Sequence, residues 1–301
     1  MMSMPIQSSS HAVSGDHLSA DGSDAALPGL LTMTIDRDAL AHNAQVVARN
    51  AQLANPAHPA ELMAVVKANG YNHGAVEAAR VFLANGATQL GVATITEAVE
   101  LRQAGTSAPI LAWIWNADDR VSVATALDYG IDLGVPTLAH IRALVDEATE
   151  RKRSQEDWEF APPRVTVMVD SGLSRSGISP DQWDKALKEL SAASSDSIID
   201  VTGAFTHLAS ADAADNPSNN RQKAQFDAAI EELQAAGIPV RINHMCNSPA
   251  SVNRPDMFYQ MVRPGVALYG MDPLEEPADR SSSTGSSLVS QLKPAMTLSA
   301  P

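Results

Sequence analysis

From Leu30 onward, short apolar runs alternate with longer segments whose apolar residues recur at helical spacing. "LLTMTI" (30–35) reads as a strand and 36–54 as a helix. Met63 to Val66 is apolar without alternation, the mark of a strand buried on both faces. A helix follows over 74–86 with an Asn-Gly stop, then strand "QLGVAT" (89–94) and a helix closed by Gly105. "PILAWIW" (109–115) and "IDLGV" (131–135) read as strands around a helix over 117–130, and Thr137 opens the next helix. "RVTVMVD" (164–170) is rich in β-branched residues and reads as a strand. The following helix has Ser179 as its N-cap and Pro180 at its first position. Strand 200–207, helix 220–237, strand "VRINHM" (240–245), short helix 249–260 and strand "MVRPGVALYG" (261–270) complete the series.

Counted from Leu62, this gives eight strands with a helical segment between each successive pair. Such alternation implies right-handed βαβ units and a parallel sheet. Eight strands in about 200 residues predict an α/β protein of the (β/α)8 barrel type. No GxGxxG or GxxxxGK[ST] follows any strand, which weakens the doubly wound nucleotide-binding alternative. The expected organisation is a disordered tail over 1–29, the barrel over 30–272, and a linker over 273–301 leading into a further strand. A charged loop, 150–163, precedes the fifth strand. The end at Pro301 predicts a truncated C-terminal β-domain.

Charge and cysteine content narrow the function classes. A formal net charge of −14 argues against nucleic acid and against an anionic membrane surface as partners. The single cysteine, Cys246, cannot form a disulfide within the chain, as suits a reducing, cytoplasmic location. The first 29 residues lack the basic and apolar regions of a secretory signal, and no run of about 18 apolar residues predicts a membrane span.

In such barrels the active site lies at the C-terminal ends of the strands. The polar residues there are Lys67 and Tyr71, Asp170 and Arg175, His207, then His244, Asn247 and Ser248, and Arg263. A lysine in a crowded, apolar mouth is desolvated, which favours the neutral amine that attacks carbonyls. Asn247 and Ser248 precede a short helix and Gly265 permits close backbone approach, as a phosphate site after the last two strands requires. Taken alone, Asn247-Ser248 fits a plain N-cap equally well. A carbonyl-attacking lysine facing a phosphate cradle implies pyridoxal 5'-phosphate. Arg263 beside its pyridine nitrogen would keep that nitrogen unprotonated and favour simple proton transfer at Cα. Cys246 reads as a packed small residue.

"VVKANGYNHG" (65–74), "VMVDSGLSRSGI" (167–178), "THLASAD", "HMCNSPAS" and "VRPGVALYG" (262–270) together resemble the bacterial alanine racemases, of the fold-type III pyridoxal-phosphate class. The resemblance runs from about Leu31 to the end of the chain and implies roles for individual residues. Lys67 would hold the cofactor covalently and act as the base on the D-face of the substrate. Tyr71 would contact the phosphate, together with Asn247, Ser248 and the backbone at Gly265 and Val266. Arg175 would reach the phenolic oxygen, and Arg263 the pyridine nitrogen with His207 behind it. The implied reaction interconverts L- and D-alanine, supplying D-alanine for peptidoglycan, and the implied assembly is a homodimer.

Three departures qualify the resemblance. Gly70 and Asn72 replace the usual Ala and Gly. Met168 stands where many members carry a carbamylated lysine that steadies the arginine matching Arg175. The family's opposite-face base is a tyrosine from the partner's β-domain, and no tyrosine follows Tyr269 here. The expectation is a chain that binds cofactor but racemises poorly or not at all. The competing readings are a single-domain cofactor-homeostasis barrel, a related decarboxylase or aldolase, and a non-enzymatic barrel in which the lysine is incidental.

Overall fold

The structure, a computed structural model, describes residues 31–154, 160–274 and 288–300. The predicted tail, the middle of the charged loop and residues 275–287 of the linker lie outside the described residues. Two compact units are distinguished: residues 34–297, and a minor one to which 31–33 and 298–300 belong. Strands β1 (Thr32–Ile35) and β9 (Met296–Ser299) pair in a two-stranded sheet.

Helix α1 (Arg37–Ala54) starts at Asp36, whose carboxylate accepts the Ala39 N–H at 2.9 Å. The main sheet contains β2 (Glu61–Val65), β3 (Ala87–Val92), β4 (Ile110–Ala112), β5 (Asp132–Val135), β6 (Arg164–Met168), β7 (Asp200–Phe205) and β8 (Met261–Val262). Between them run α2 (Ala75–Ala84), α3 (Ile95–Gln103), α4 (Arg120–Asp128), α5 (Leu138–Ser154), α6 (Pro180–Ser195), α7 (Pro217–Ala235) and α8 (Ser248–Asn253). All pairings are parallel, in the order β7-β6-β5-β4-β3-β2-β8. Leu62, Ile110 and Val262 pack outward with the helices. Met63, Leu111 and Met261 form a separate buried cluster, as strand alternation around a barrel requires.

The seam between β7 and β8 departs from the expected strand 240–245. Residues 241–246 bond to both neighbours, but only one isolated bridge forms, Phe205 to His244. Arg241 and Ile242 both donate to the Thr202 carbonyl, which breaks the ladder. Asn243 then substitutes side-chain for backbone partners: its Oδ1 accepts from Ala204 at 3.0 Å, and its N–H goes to Gln260 Oε1 at 3.0 Å. Gly203 makes this seam possible, since a Cβ there would lie 1.8 Å from the Ile242 carbonyl oxygen. With the seam closed, the chain forms a (β/α)8 barrel.

Two other expectations are corrected. The strand expected over 261–270 is only two residues long. Pro264 has no N–H to donate, and the chain turns at Gly265 into a 3₁₀ turn, Val266–Tyr269. The helix expected over 249–260 ends at Asn253, because Pro255 restricts Arg254; a 3₁₀ turn, Pro255–Met257, follows.

Candidate active site

Strand β2 ends at Val65, and Val66 and Lys67 follow on the barrel's C-terminal side. The next residues form a left-handed helical turn: Ala68 (φ 52°), Asn69 (φ 50°), Gly70 (φ 61°), Tyr71 (φ 51°) and Asn72 (φ 66°). A left-handed helix costs roughly 1–2 kcal/mol per non-glycine residue, so the surroundings must impose it. Gly70 N–H donates to Val66 at 2.9 Å and Asn72 N–H to Ala68 at 3.1 Å. Asn69 Oδ1 accepts the Ala75 N–H at 2.9 Å, joining the turn to α2. The ring of Tyr269 lies 5.1 Å from Tyr71 and 4.6 Å from His73, and its hydroxyl donates to the Val65 carbonyl at 3.2 Å.

This turn carries Lys67 and Tyr71 into a cavity of about 450 Å³ that is also lined by Arg175, His207, Asn247, Ser248, Arg263, Gly265 and Val266. Of the residues singled out from the sequence, all but Asp170 and His244 line it. Lys67 is half-buried rather than sunk at the bottom, with Nζ 5.9 Å from the Tyr71 ring centre. Val65, Trp113, Ile114, Met168, Ser176, Phe205 and Pro249 complete the wall. Sequence reading passed over Trp113 and Phe205, because aromatics inside apolar strand runs read as core.

Two strand-end candidates do not reach the cavity. Asp170 Oδ1 accepts N–H groups from Gly172 at 3.0 Å and Ser174 at 2.9 Å, and so braces its own loop. His244 is buried beneath Arg263, its ring stacked 5.2 Å from Phe205.

Arg263 is buried and multiply held. One guanidinium nitrogen donates to His244 Nδ1 at 2.7 Å; another donates to the Thr206 carbonyl at 2.8 Å and lies 3.4 Å from His207 Nδ1. Its charge sits 5.5 Å from the Phe205 ring centre. Burial lowers its pKa to about 10, so it remains a cation at neutral pH. Burial, then the Arg263 charge, holds His207 down at about 3 and His244 well below the usual imidazole range. Both imidazoles are therefore neutral and can accept from the arginine.

Ser248 Oγ accepts the N–H groups of Gly265 at 2.8 Å and Ala267 at 3.4 Å, which leaves its own O–H to donate. Asn247 caps α8, its Oδ1 accepting from Ala250 at 3.4 Å, so the N-cap reading and the cavity-wall reading both hold. A Cβ on Gly265 would lie 2.2 Å from the Tyr71 hydroxyl, so only glycine permits that approach. Burial raises the Tyr71 pKa, against a smaller opposing pull from Arg263. Arg175 is exposed at the rim, and Ser176 Oγ contacts Met168 Sδ at 3.3 Å.

The profile of the alanine racemase N-terminal domain matches residues 35–273. The chain belongs to the alanine racemase family. It is 46% identical over 250 residues to the alanine racemase of Corynebacterium efficiens, covering 81% of this chain and 61% of that protein. With the Corynebacterium glutamicum enzyme it shares 42% over 268 residues, 89% of this chain and 65% of the other. The chain thus spans somewhat under two thirds of the length of these relatives. The crystal structure of a C. glutamicum alanine racemase superposes with a TM-score of 0.73 at 41% identity, over 90% of this chain and 68% of that one. The Bartonella henselae alanine racemase, with covalently bound pyridoxal phosphate, shares the fold with a TM-score of 0.73 at 23% identity, over 90% of this chain and 69% of that one.

The donor set suits the family's cofactor. Lys67, Arg175 and Arg263 face the cavity, hydroxyls come from Tyr71 and Ser248, and no carboxylate lines it among the described residues. An anionic molecule with an aldehyde to capture finds charge, hydrogen-bond donors and an amine in one place. No described helix is long and apolar enough to cross a membrane.

Proposed function

We propose that the cavity holds pyridoxal 5'-phosphate and that the chain is the barrel of an enzyme interconverting L- and D-alanine, acting as a homodimer and supplying cell-wall D-alanine. The observation that carries this is the convergence of Lys67, Arg263, Tyr71 and Ser248 on one cavity that has no carboxylate among its described lining residues. Lys67 anchors the cofactor and takes or returns the Cα proton on one face of the substrate. Tyr71, Asn247, Ser248 and the backbone at Gly265 and Val266 would hold the phosphate, and Arg175 would reach the phenolic oxygen. Arg263, backed by His244 and His207, would hold the pyridine nitrogen. When bound, the cofactor supplies an electron sink that acidifies the Cα–H bond.

A fixed, buried cation at Arg263 disfavours protonation of the facing nitrogen. With the cofactor bound, that would weaken the sink and favour brief proton transfer, in keeping with racemisation over decarboxylation. Neutral His207 and His244 let the arginine keep its charge without an acid nearby. Lys67 is the base for one face, and no second lysine and no carboxylate stands among the described lining residues to serve the other. With cofactor in deuterium oxide, the chain should therefore exchange the Cα–H of D-alanine at least tenfold faster than that of L-alanine, followed by proton NMR. Lys67→Ala should abolish the difference. Equal exchange of both enantiomers, or full exchange by Lys67→Ala, would sink the assignment.

A further inference from the structure

Glu97, in the first turn of α3, lies outside the cavity wall, yet its carboxylate accepts three backbone N–H groups from two different loops. Oε2 accepts from Ala93 at 2.8 Å and Thr94 at 3.0 Å, while the Glu97 N–H returns to Thr94 Oγ1 at 3.2 Å. That half is a capping box and needs nothing more. Oε1, however, reaches across to the end of the neighbouring strand and accepts the Ala68 N–H at 2.7 Å. Ala68 is the residue after Lys67 and the first of the left-handed turn.

We propose that Glu97 is a positioning residue that fixes Lys67 for reaction with the cofactor aldehyde, by clamping the first peptide of the left-handed turn to the β3–α3 loop. The inference rests on the cofactor reading above. A hydrogen bond from an N–H to a carboxylate is stronger than a neutral one. It pins the peptide joining Lys67 to Ala68, so the lysine Cα cannot swing as the turn relaxes toward the right-handed region. No neutral isostere does both jobs. A glutamine has one acceptor oxygen, and its NH₂ would face either Ala68 or the Ala93–Thr94 pair, donor against donor.

The test adds pyridoxal 5'-phosphate to the 301-residue chain and follows covalent attachment by absorbance, with melting temperatures measured in parallel on cofactor-free protein. Glu97→Gln should slow attachment at least tenfold. Thr94→Ala removes the helix cap and spares the bond to Ala68; it should lower the melting temperature yet attach cofactor within twofold of wild type. A slowing of less than tenfold in Glu97→Gln would overturn the proposal. So would equal slowing by Thr94→Ala, which would assign the effect to the cap. Should Glu97→Gln fail to fold, Glu97→Asp replaces it under the same threshold, since it keeps the charge but is too short to reach Ala68. Wild-type chain that attaches no cofactor would overturn the cofactor reading itself, and this inference with it.

Discussion

At the scale of single residues, the cavity depends on one missing side chain as much as on those present. Gly265 lets the Tyr71 hydroxyl approach to where a Cβ would lie 2.2 Å away, and its N–H is held by Ser248 at 2.8 Å. Tyr71 sits at the far end of a strained turn, so it has little freedom to retreat. Gly265→Ala is predicted to weaken pyridoxal phosphate binding at least tenfold in a spectral titration, with the melting temperature shifted by only a few degrees. Unchanged affinity would mean that Tyr71 and Gly265 do not shape the phosphate end. The same scale explains Arg263: its hydrogen bond to His244 at 2.7 Å is shorter than its contact with His207 at 3.4 Å. The sequence reading placed only His207 behind the arginine, because His244 looked like a strand-end candidate for the mouth.

Among the elements, the seam at 241–246 is the weak point of the barrel, held by scattered backbone bonds and by Asn243 and Gln260 side chains. Gly203→Ala would drive a methyl into the Ile242 carbonyl at 1.8 Å. Overpacking of this kind costs about 1–3 kcal/mol or more, read as a lower midpoint in urea denaturation. A midpoint within error of wild type would show that the seam can shift to make room. Most of the other elements were legible because their apolar runs match strand and helix periods over several residues: Arg164–Met168 and Arg37–Ala54 are examples. The seam was not, since "VRINHM" has strand composition while its irregularity arises from contacts with Gly203 and Gln260, far away in sequence. The left-handed turn was equally hidden. Asn69, Gly70 and Asn72 tolerate positive φ, but Ala68 and Tyr71 give no such signal and are held there by Glu97 and Tyr269. The candidate site was nearly all legible because strand ends in a barrel converge, whatever lies between them.

For the whole molecule, buried titratable groups set the response to acid. His207, held at about 3, and His244, held well below its usual range, stay neutral in the fold but bind protons near 6.5 once unfolded. Below about pH 6.5 the unfolded chain therefore takes up more protons, and each histidine removes up to about 1.4 kcal/mol of stability per pH unit. Asp132 acts oppositely at the other end of the barrel. Burial raises it to about 6 despite Arg164 at 3.2 Å, so the folded state binds its proton first and gains stability as pH falls. Two losses against one gain predict a melting temperature that falls from pH 7 to pH 5, and falls more steeply in Asp132→Asn. A flat or rising profile in scanning calorimetry would contradict this balance.

The central claim is that this barrel presents Lys67 to the aldehyde of pyridoxal 5'-phosphate, and reductive trapping tests it most directly. The chain is incubated with the cofactor, reduced with borohydride, digested, and mapped by mass spectrometry. The account predicts a pyridoxyl group on the peptide containing Lys67, absent from Lys67→Ala and reduced by excess inorganic phosphate. Label spread evenly over surface lysines such as Lys152, Lys185 and Lys188, or undiminished in Lys67→Ala, would contradict it.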